Sequence, residues 1–267
     1  MRAVGVDDAG FIVREGSLSA VQPEFVPVVD RARSLIAESF SVRRMHSAYL
    51  YGSVPRGTAI PALSDLDLLI ALRDEPTDGD RSAADDLAVA LDAFSQINGV
   101  GIELASTSKL LSELERYNLG WFVACLCTPL LGEDLARQLP RYRPTTMLAR
   151  ETNGDLPDAI ASWRDQRVAG LTTAQSLRLS RSAARRIVRT GLTLVMPQWG
   201  GWTSDLELSA EIFAHYYPER GTQMRLAATT ARTPTADCAV LDLLIDDLAD
   251  WLAIEYLRVH GAKTPRP

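Results

Sequence analysis

Two aspartates, Asp65 and Asp67, interrupt an otherwise apolar run in "SDLDLLIAL", residues 64–72. Side chains alternate along a β-strand, so positions i and i+2 point to the same face. The two carboxylates therefore share a face, and Leu66 and Leu68 point to the other. Like charges this close repel, and burying them unpaired is costly. No Lys or Arg stands on the strand, and Arg73 lies past its end. One resolution is a pair of solvated aspartates on an exposed face. The other is a divalent cation between them, and hard oxygen ligands with few histidines nearby select Mg²⁺ or Mn²⁺.

Two further features favour the cation. Upstream, "YGS" closes the preceding apolar run. Gly52 has no Cβ, so its backbone can approach a phosphate closely; Ser53 adds a hydroxyl and an N–H, and Gly57 follows in the same loop. Downstream, Glu103 stands between Ile102 and Leu104 in "GIELAS", a charge directed away from the buried side of a short strand. Three acidic groups on adjacent strands beside such a turn suit metal-assisted phosphoryl or nucleotidyl transfer. Asp65, Asp67 and Glu103 are thus the expected catalytic and metal-binding residues.

The run Gly52-Ser53, then Ser64-Asp65-Leu66-Asp67-Leu68-Leu69, resembles the signature of the DNA polymerase β-like nucleotidyltransferase superfamily. The stretch "LYGSVPRGTAIPALSDLDLLIAL" is similar to that of the streptomycin/spectinomycin adenylyltransferases in particular. The resemblance covers roughly residues 45–105. It implies a small mixed sheet flanked by helices, two Mg²⁺ ions and ATP or another nucleoside triphosphate as co-substrate. It also implies that Ser53 and Ser64 touch the triphosphate. Glu103 would complete metal binding or deprotonate an acceptor hydroxyl.

These residues need strands to hold them, and the apolar periodicity supplies candidates. "AVGVDDAGFIV" reads as a short hairpin and residues 22–40 as a helix. "SAYLYGS" and "SDLDLLIAL" read as strands, "PTDGDRS" as a loop and "SAADDLAVALDAFSQI" as an amphipathic helix. "GVGIELAST" is a third strand and "YNLGWFVACLC" a helix. The polar, Pro- and Gly-containing stretch 140–157 reads as a linker. Beyond it only helices are expected, near 157–170, 172–195, 205–217, 220–232 and 236–260. The fold class is α+β: a nucleotidyltransferase domain over residues 1–140, then a helical bundle over 157–262.

In the helical part, Arg178, Arg181, Arg185 and Arg189 fall on one face. Guanidinium groups suit phosphate oxygens, and Arg185 is assigned to the nucleotide. The others are expected to pair with Asp242, Asp246 and Asp250 of the last helix, or to face solvent. Ser204 or Thr203 could cap the helix that follows the Trp-Gly-Gly-Trp loop, with Glu207 completing a capping box. Trp199, Trp202 and Tyr216, with Asp205, Glu207 and Glu211 nearby, could instead wall a pocket for a cationic, aminoglycoside-like sugar.

The chain has 267 residues and a formal net charge of −6, which argues against a general nucleic-acid binder. Its three cysteines, Cys125, Cys127 and Cys238, form no disulfide or zinc pattern and read as core thiols. Neither a signal peptide nor a membrane span is expected, so the protein is read as cytoplasmic. The reading is transfer of a nucleoside monophosphate, AMP from ATP, to a hydroxyl of a small-molecule acceptor. A protein adenylyltransferase acting on a partner, or a nucleotide-binding protein without turnover, are the alternatives.

Overall fold

A computed structural model describes residues 1–266. The chain divides into two compact units: Val13–Tyr142, and Met1–Ile12 together with the residues from Arg143 onward. The first twelve residues, expected with the sheet, thus group with the helices.

In the first unit α1 (Val26–Ser39) precedes two antiparallel strands, β1 (Met45–Tyr51) and β2 (Leu66–Leu72). The chain then runs through α2 (Asp78–Asp92) into β3 (Val100–Ser106), which pairs with β2 in parallel. A parallel partner requires a crossover of this length. After a single turn, α3 (Thr107–Leu110), and α4 (Trp121–Leu126), the edge strand β4 (Thr128–Gly132) returns beside β1. The sheet order is β3-β2-β1-β4.

Both faces of this sheet are covered, which explains why β1 and β2 are so apolar. Leu66, Leu68, Ile70 and Leu72 of β2 join Ala48 and Leu50 of β1 in a core with Val29, Ile36, Leu87 and Leu91 of α1 and α2. On the opposite face Leu69 and Ala71 pack with Tyr49, Leu110, Val123 and Cys127. The second face is filled only along part of the strand, and Asp67 falls where it is not.

Within the elements, the sequence reading needed correction in several places. "PTDGDRS" is not all loop: Thr77 caps α2 in a capping box with Asp80, so the helix starts at Asp78. β4 was not read, because a five-residue edge strand with a proline carries little periodic signal. The 140–157 stretch holds a helix, α5 (Thr146–Asn153), whose N-terminus Thr145 caps by accepting from Leu148 N–H.

The second unit is helical: α6 (Leu156–Val168), α7 (Thr173–Trp199), α8 (Leu206–Tyr216), α9 (Gly221–Arg232), α10 (Cys238–Asp242) and α11 (Ala249–His260), the last two joined by a π-helical stretch, Leu243–Leu248. Gly191 lets α7 lie close to its neighbours, since a Cβ there would come 2.5 Å from Met224 Cε. Residues 1–12 contribute no full hairpin, only a bridge between Val6 and Ile12. Cys125 and Cys127 are buried and free, and burial pushes the Cys125 thiol up to about 12; Cys238 is exposed. Among the described residues no helix is long and apolar enough to cross a membrane.

Candidate active site

Asp67 lies on β2 opposite Tyr51 of β1 and Gly101 of β3. Its place on the strand puts it on the face of Leu69, away from the core that takes Leu66 and Leu68. Both neighbours leave it room. A Cβ built on Gly101 would sit 3.0 Å from Asp67 Oδ1, and one on Gly52 would sit 2.5 Å from Oδ2. The carboxylate is therefore flanked by two glycines, one for each oxygen. Gly52 also has φ +83°, a conformation that side-chain-bearing residues rarely adopt. The turn after β1 requires glycine twice over.

Asp65 stands one residue ahead of β2 rather than within it. The pairing nonetheless continues back to it, through Leu66 N–H to Gly99 O at 2.9 Å and Asn98 N–H to Ser64 O at 3.0 Å. Gly99 lies beside Asp65 as Gly101 lies beside Asp67, with a Cβ-to-Oδ1 distance of 3.6 Å. Asn98 Nδ2 donates to Asp65 Oδ1 at 3.1 Å. Both aspartates are half-buried.

Glu103 pairs with Leu69, one same-face step along the sheet from the Asp67–Gly101 pair, and is exposed. The expected trio of acids is on adjacent strands, but it is not a closed cage. Among the described residues no group of three or more His, Cys, Asp or Glu is placed to hold a metal ion. Mg²⁺ commonly binds one or two carboxylates and completes its shell with water and substrate phosphate. The donor chemistry of Asp65 and Asp67 fits that mode.

The turn Gly52–Thr58 folds on itself. Gly57 N–H donates to Val54 O at 3.1 Å and Thr58 N–H to Ser53 O at 3.1 Å. Val54 is fully buried in the core, which anchors the turn, while Ser53 is half-buried. Ser64 is occupied locally, because its Oγ accepts from Ile60 N–H at 2.9 Å. On the site's face Tyr51 meets Phe122 edge to face, ring centroids 4.9 Å apart.

In the helical unit Arg178 and Arg189 of α7 are exposed, as one of the two expected placements has it, and Arg181 is half-buried. Asp242, Asp246 and Asp250 pair with Arg164 and Arg167 of α6. An i, i+3 pair on a neighbouring helix is as good a partner as the α7 face, and sequence spacing cannot tell which helix lies alongside. Arg186, off the expected face, pairs with Asp155. Arg185 is half-buried on α7.

The aromatic pocket is also revised. Trp199 and Trp202 are buried, covered in part by residues 2–5: Trp199 Nε1 donates to Arg2 O at 3.3 Å and Trp202 N–H to Val4 O at 2.9 Å. The cap of α8 is Asp205, which accepts from Leu208 N–H at 2.9 Å, rather than Ser204 or Thr203. Glu207 pairs with Arg232 and Glu211 with Arg225. Asn98, Gly99, Gly101 and Tyr51 were missed by sequence reasoning. For the glycines the signal was present in "NGVGIE", since glycine within a strand marks a close approach.

The family model of the nucleotidyltransferase domain matches residues 34–117, a span that contains Gly52, Ser53, Ser64, Asp65, Asp67 and Glu103. Among solved structures, a spectinomycin adenyltransferase, AAD(9), from Enterococcus faecialis, determined with ATP and spectinomycin, matches with a TM-score of 0.58. The match covers 86% of this chain and 98% of that one at 14% sequence identity, so the two share a fold. No curated protein matches the sequence.

Proposed function

We propose that this chain is a nucleotidyltransferase that moves a nucleoside monophosphate, AMP from ATP, onto a hydroxyl of a small cationic, sugar-like acceptor. The observation that carries the reading is the placement of Asp65 and Asp67 beside Gly99, Gly101 and Gly52. Two like charges in a glycine-lined space have a chemical use if a cation and phosphate oxygens enter it. The domain match over residues 34–117 supports the same class. The solved neighbour, determined with ATP and spectinomycin, supports the choice of donor and acceptor.

In this proposal Asp65 and Asp67 hold Mg²⁺ or Mn²⁺, which when bound neutralises charge on the triphosphate. The Gly52–Thr58 turn receives phosphate oxygens through backbone N–H groups and Ser53, with Ser64 nearby in sequence as a second hydroxyl. The acceptor oxygen forms a bond to the α-phosphorus as the bond to the bridging oxygen of the β-phosphate breaks. Pyrophosphate leaves, and the acceptor proton passes to a base, the role given to Glu103 on the strength of its exposure and its face. Arg185 is assigned to the phosphates on guanidinium chemistry alone. Dependence on ATP and unpaired cysteines fit action in the cytoplasm.

The experiment is direct. The purified protein is incubated with α-³²P-labelled ATP, Mg²⁺ and a panel of hydroxyl compounds that includes aminocyclitols and neutral sugars. Label transferred to a small molecule, with release of pyrophosphate, supports the reading. Label on a protein band moves the acceptor to a partner protein. Tight Mg-ATP binding with no transfer to any acceptor leaves a binder.

A further inference from the structure

The turn assigned to phosphate is held from outside by a segment that sequence reasoning left without a role. Residues 14–20 run along it. Ser17 N–H donates to Pro55 O at 2.9 Å. Gly16, at φ +84°, passes so near that an added Cβ would stand 2.8 Å from Pro55 O, and a Cβ on Gly57 would stand 2.6 Å from Ala20 O. Pro55 has no N–H, so its carbonyl is the only backbone hydrogen-bonding group it offers, and the strap takes it. Arg56, next in the turn, lies 3.8 Å from Glu15.

The strap is itself fastened at its other end. Glu15 N–H donates to Cys125 O at 2.8 Å, Arg14 Nε donates to Ala124 O at 3.0 Å, and the Arg14 guanidinium grips Asp134 with two hydrogen bonds of 2.8 and 3.1 Å. A bidentate pair of this kind fixes orientation as well as distance. The turn therefore has Val54 buried beneath it, two internal hydrogen bonds, and a strap tied to α4 and to the loop after β4.

We infer that Arg14, Gly16 and Ser17 are positioning residues that set the conformation of the Gly52–Thr58 turn and so its affinity for a triphosphate. This rests on the nucleotide-binding reading of the turn. None of the three is required to touch the nucleotide. They act through Pro55, and the missing Cβ of Gly16 is the feature that lets the strap close.

The test uses the full chain and two readouts. Gly16→Ala is compared with wild type and with Gly170→Ala. Gly170 has a similar φ of +82° but nothing within 4 Å of an added Cβ, so its substitution carries backbone strain without the contact. Hydrogen exchange is followed at the Gly57 and Thr58 amides without nucleotide, and the dissociation constant of Mg-ATP is measured by calorimetry. Gly16→Ala is expected to speed exchange at both amides and weaken Mg-ATP about tenfold or more, the scale of one lost hydrogen bond to a charged group. Gly170→Ala should change neither. Should Gly16→Ala fail to fold, Arg14→Ala releases the far end of the strap and should move both readouts the same way.

Unchanged Mg-ATP affinity in the folded variant overturns the inference, even where exchange rises. If the wild type binds no Mg-ATP at all, the nucleotide reading fails, and exchange at Gly57 and Thr58 alone decides whether the strap holds the turn.

Discussion

A Cβ atom on Gly52 would stand 2.5 Å from Oδ2 of Asp67, closer than a nonbonded Cβ comes to a neighbouring atom. The turn after β1 and the acid on β2 are thus fitted to each other, and neither can change without the other moving. The conformation of Gly52, at φ +83°, adds backbone strain to any replacement. Gly52→Ala should lose Mg-dependent ATP binding and transfer while its circular dichroism stays native. An active Gly52→Ala enzyme would show that the Asp67 carboxylate is free to swing aside and that its placement is not what matters.

The paired acids should behave as like charges that a bound cation would neutralise. Asp67→Asn and Asp65→Asn are each expected to abolish transfer yet melt at or above the wild-type temperature without Mg²⁺, because they relieve like-charge repulsion. Removing divalent ions with EDTA should reproduce the loss of activity in the wild type. A marked fall in melting temperature for Asp67→Asn would instead make that residue part of the framework.

Glu103→Gln separates a base from a bystander. Loss of a general base lowers kcat by about 10²-fold or more, with the affinity for Mg-ATP nearly unchanged. Steady-state kinetics on the best acceptor, with calorimetry for the nucleotide, measure the two quantities separately. A wild-type kcat would take Glu103 out of the reaction.

Acid stability should depend on Asp80, which sits buried against Arg44 with hydrogen bonds of 2.9 and 2.5 Å and accepts from Thr77 N–H at 2.7 Å. Chiefly through the Arg44 hydrogen bond, its carboxyl is held well below the usual carboxylate range. A depressed folded-state value stabilises the fold fully above the unfolded pKa, near 3.9, and that contribution is lost as pH falls through it toward the folded value. Urea midpoints should drop steeply below about pH 4. Asp80→Asn should be less stable at neutral pH and show a shallower acid slope.

Trp202 tests the revised pocket. It is 6% exposed and its amide is bonded to Val4, so truncation leaves a cavity. Trp202→Ala should destabilise the protein by about 3–5 kcal/mol, the usual range for a buried Trp, as read from denaturant unfolding. A variant of wild-type stability with impaired acceptor binding would restore Trp202 to a ligand-facing role.

Local chemistry and periodicity carried the sheet unit's centre and most helices. The spacing of Asp65 and Asp67, the Gly52 turn and the apolar strands are short-range features, and alternation along one strand already assigns faces. Helical spacing likewise puts Val240, Leu244, Leu248, Trp251 and Leu252 on one stripe; the three leucines are buried and Val240 and Trp251 half-buried. Partner choice was a different matter. That Arg164 and Arg167 meet Asp242, Asp246 and Asp250 depends on which helices lie side by side. That Trp199 and Trp202 are core depends on a segment nearly 200 positions away, through Arg2 and Val4. The glycines around Asp67 are visible in the sequence, yet only the register of β2 with β3 places Gly101 beside it. Spacing along the chain is set by covalent geometry and can be read from one dimension. Contacts between distant segments are set by packing, which sequence spacing does not encode.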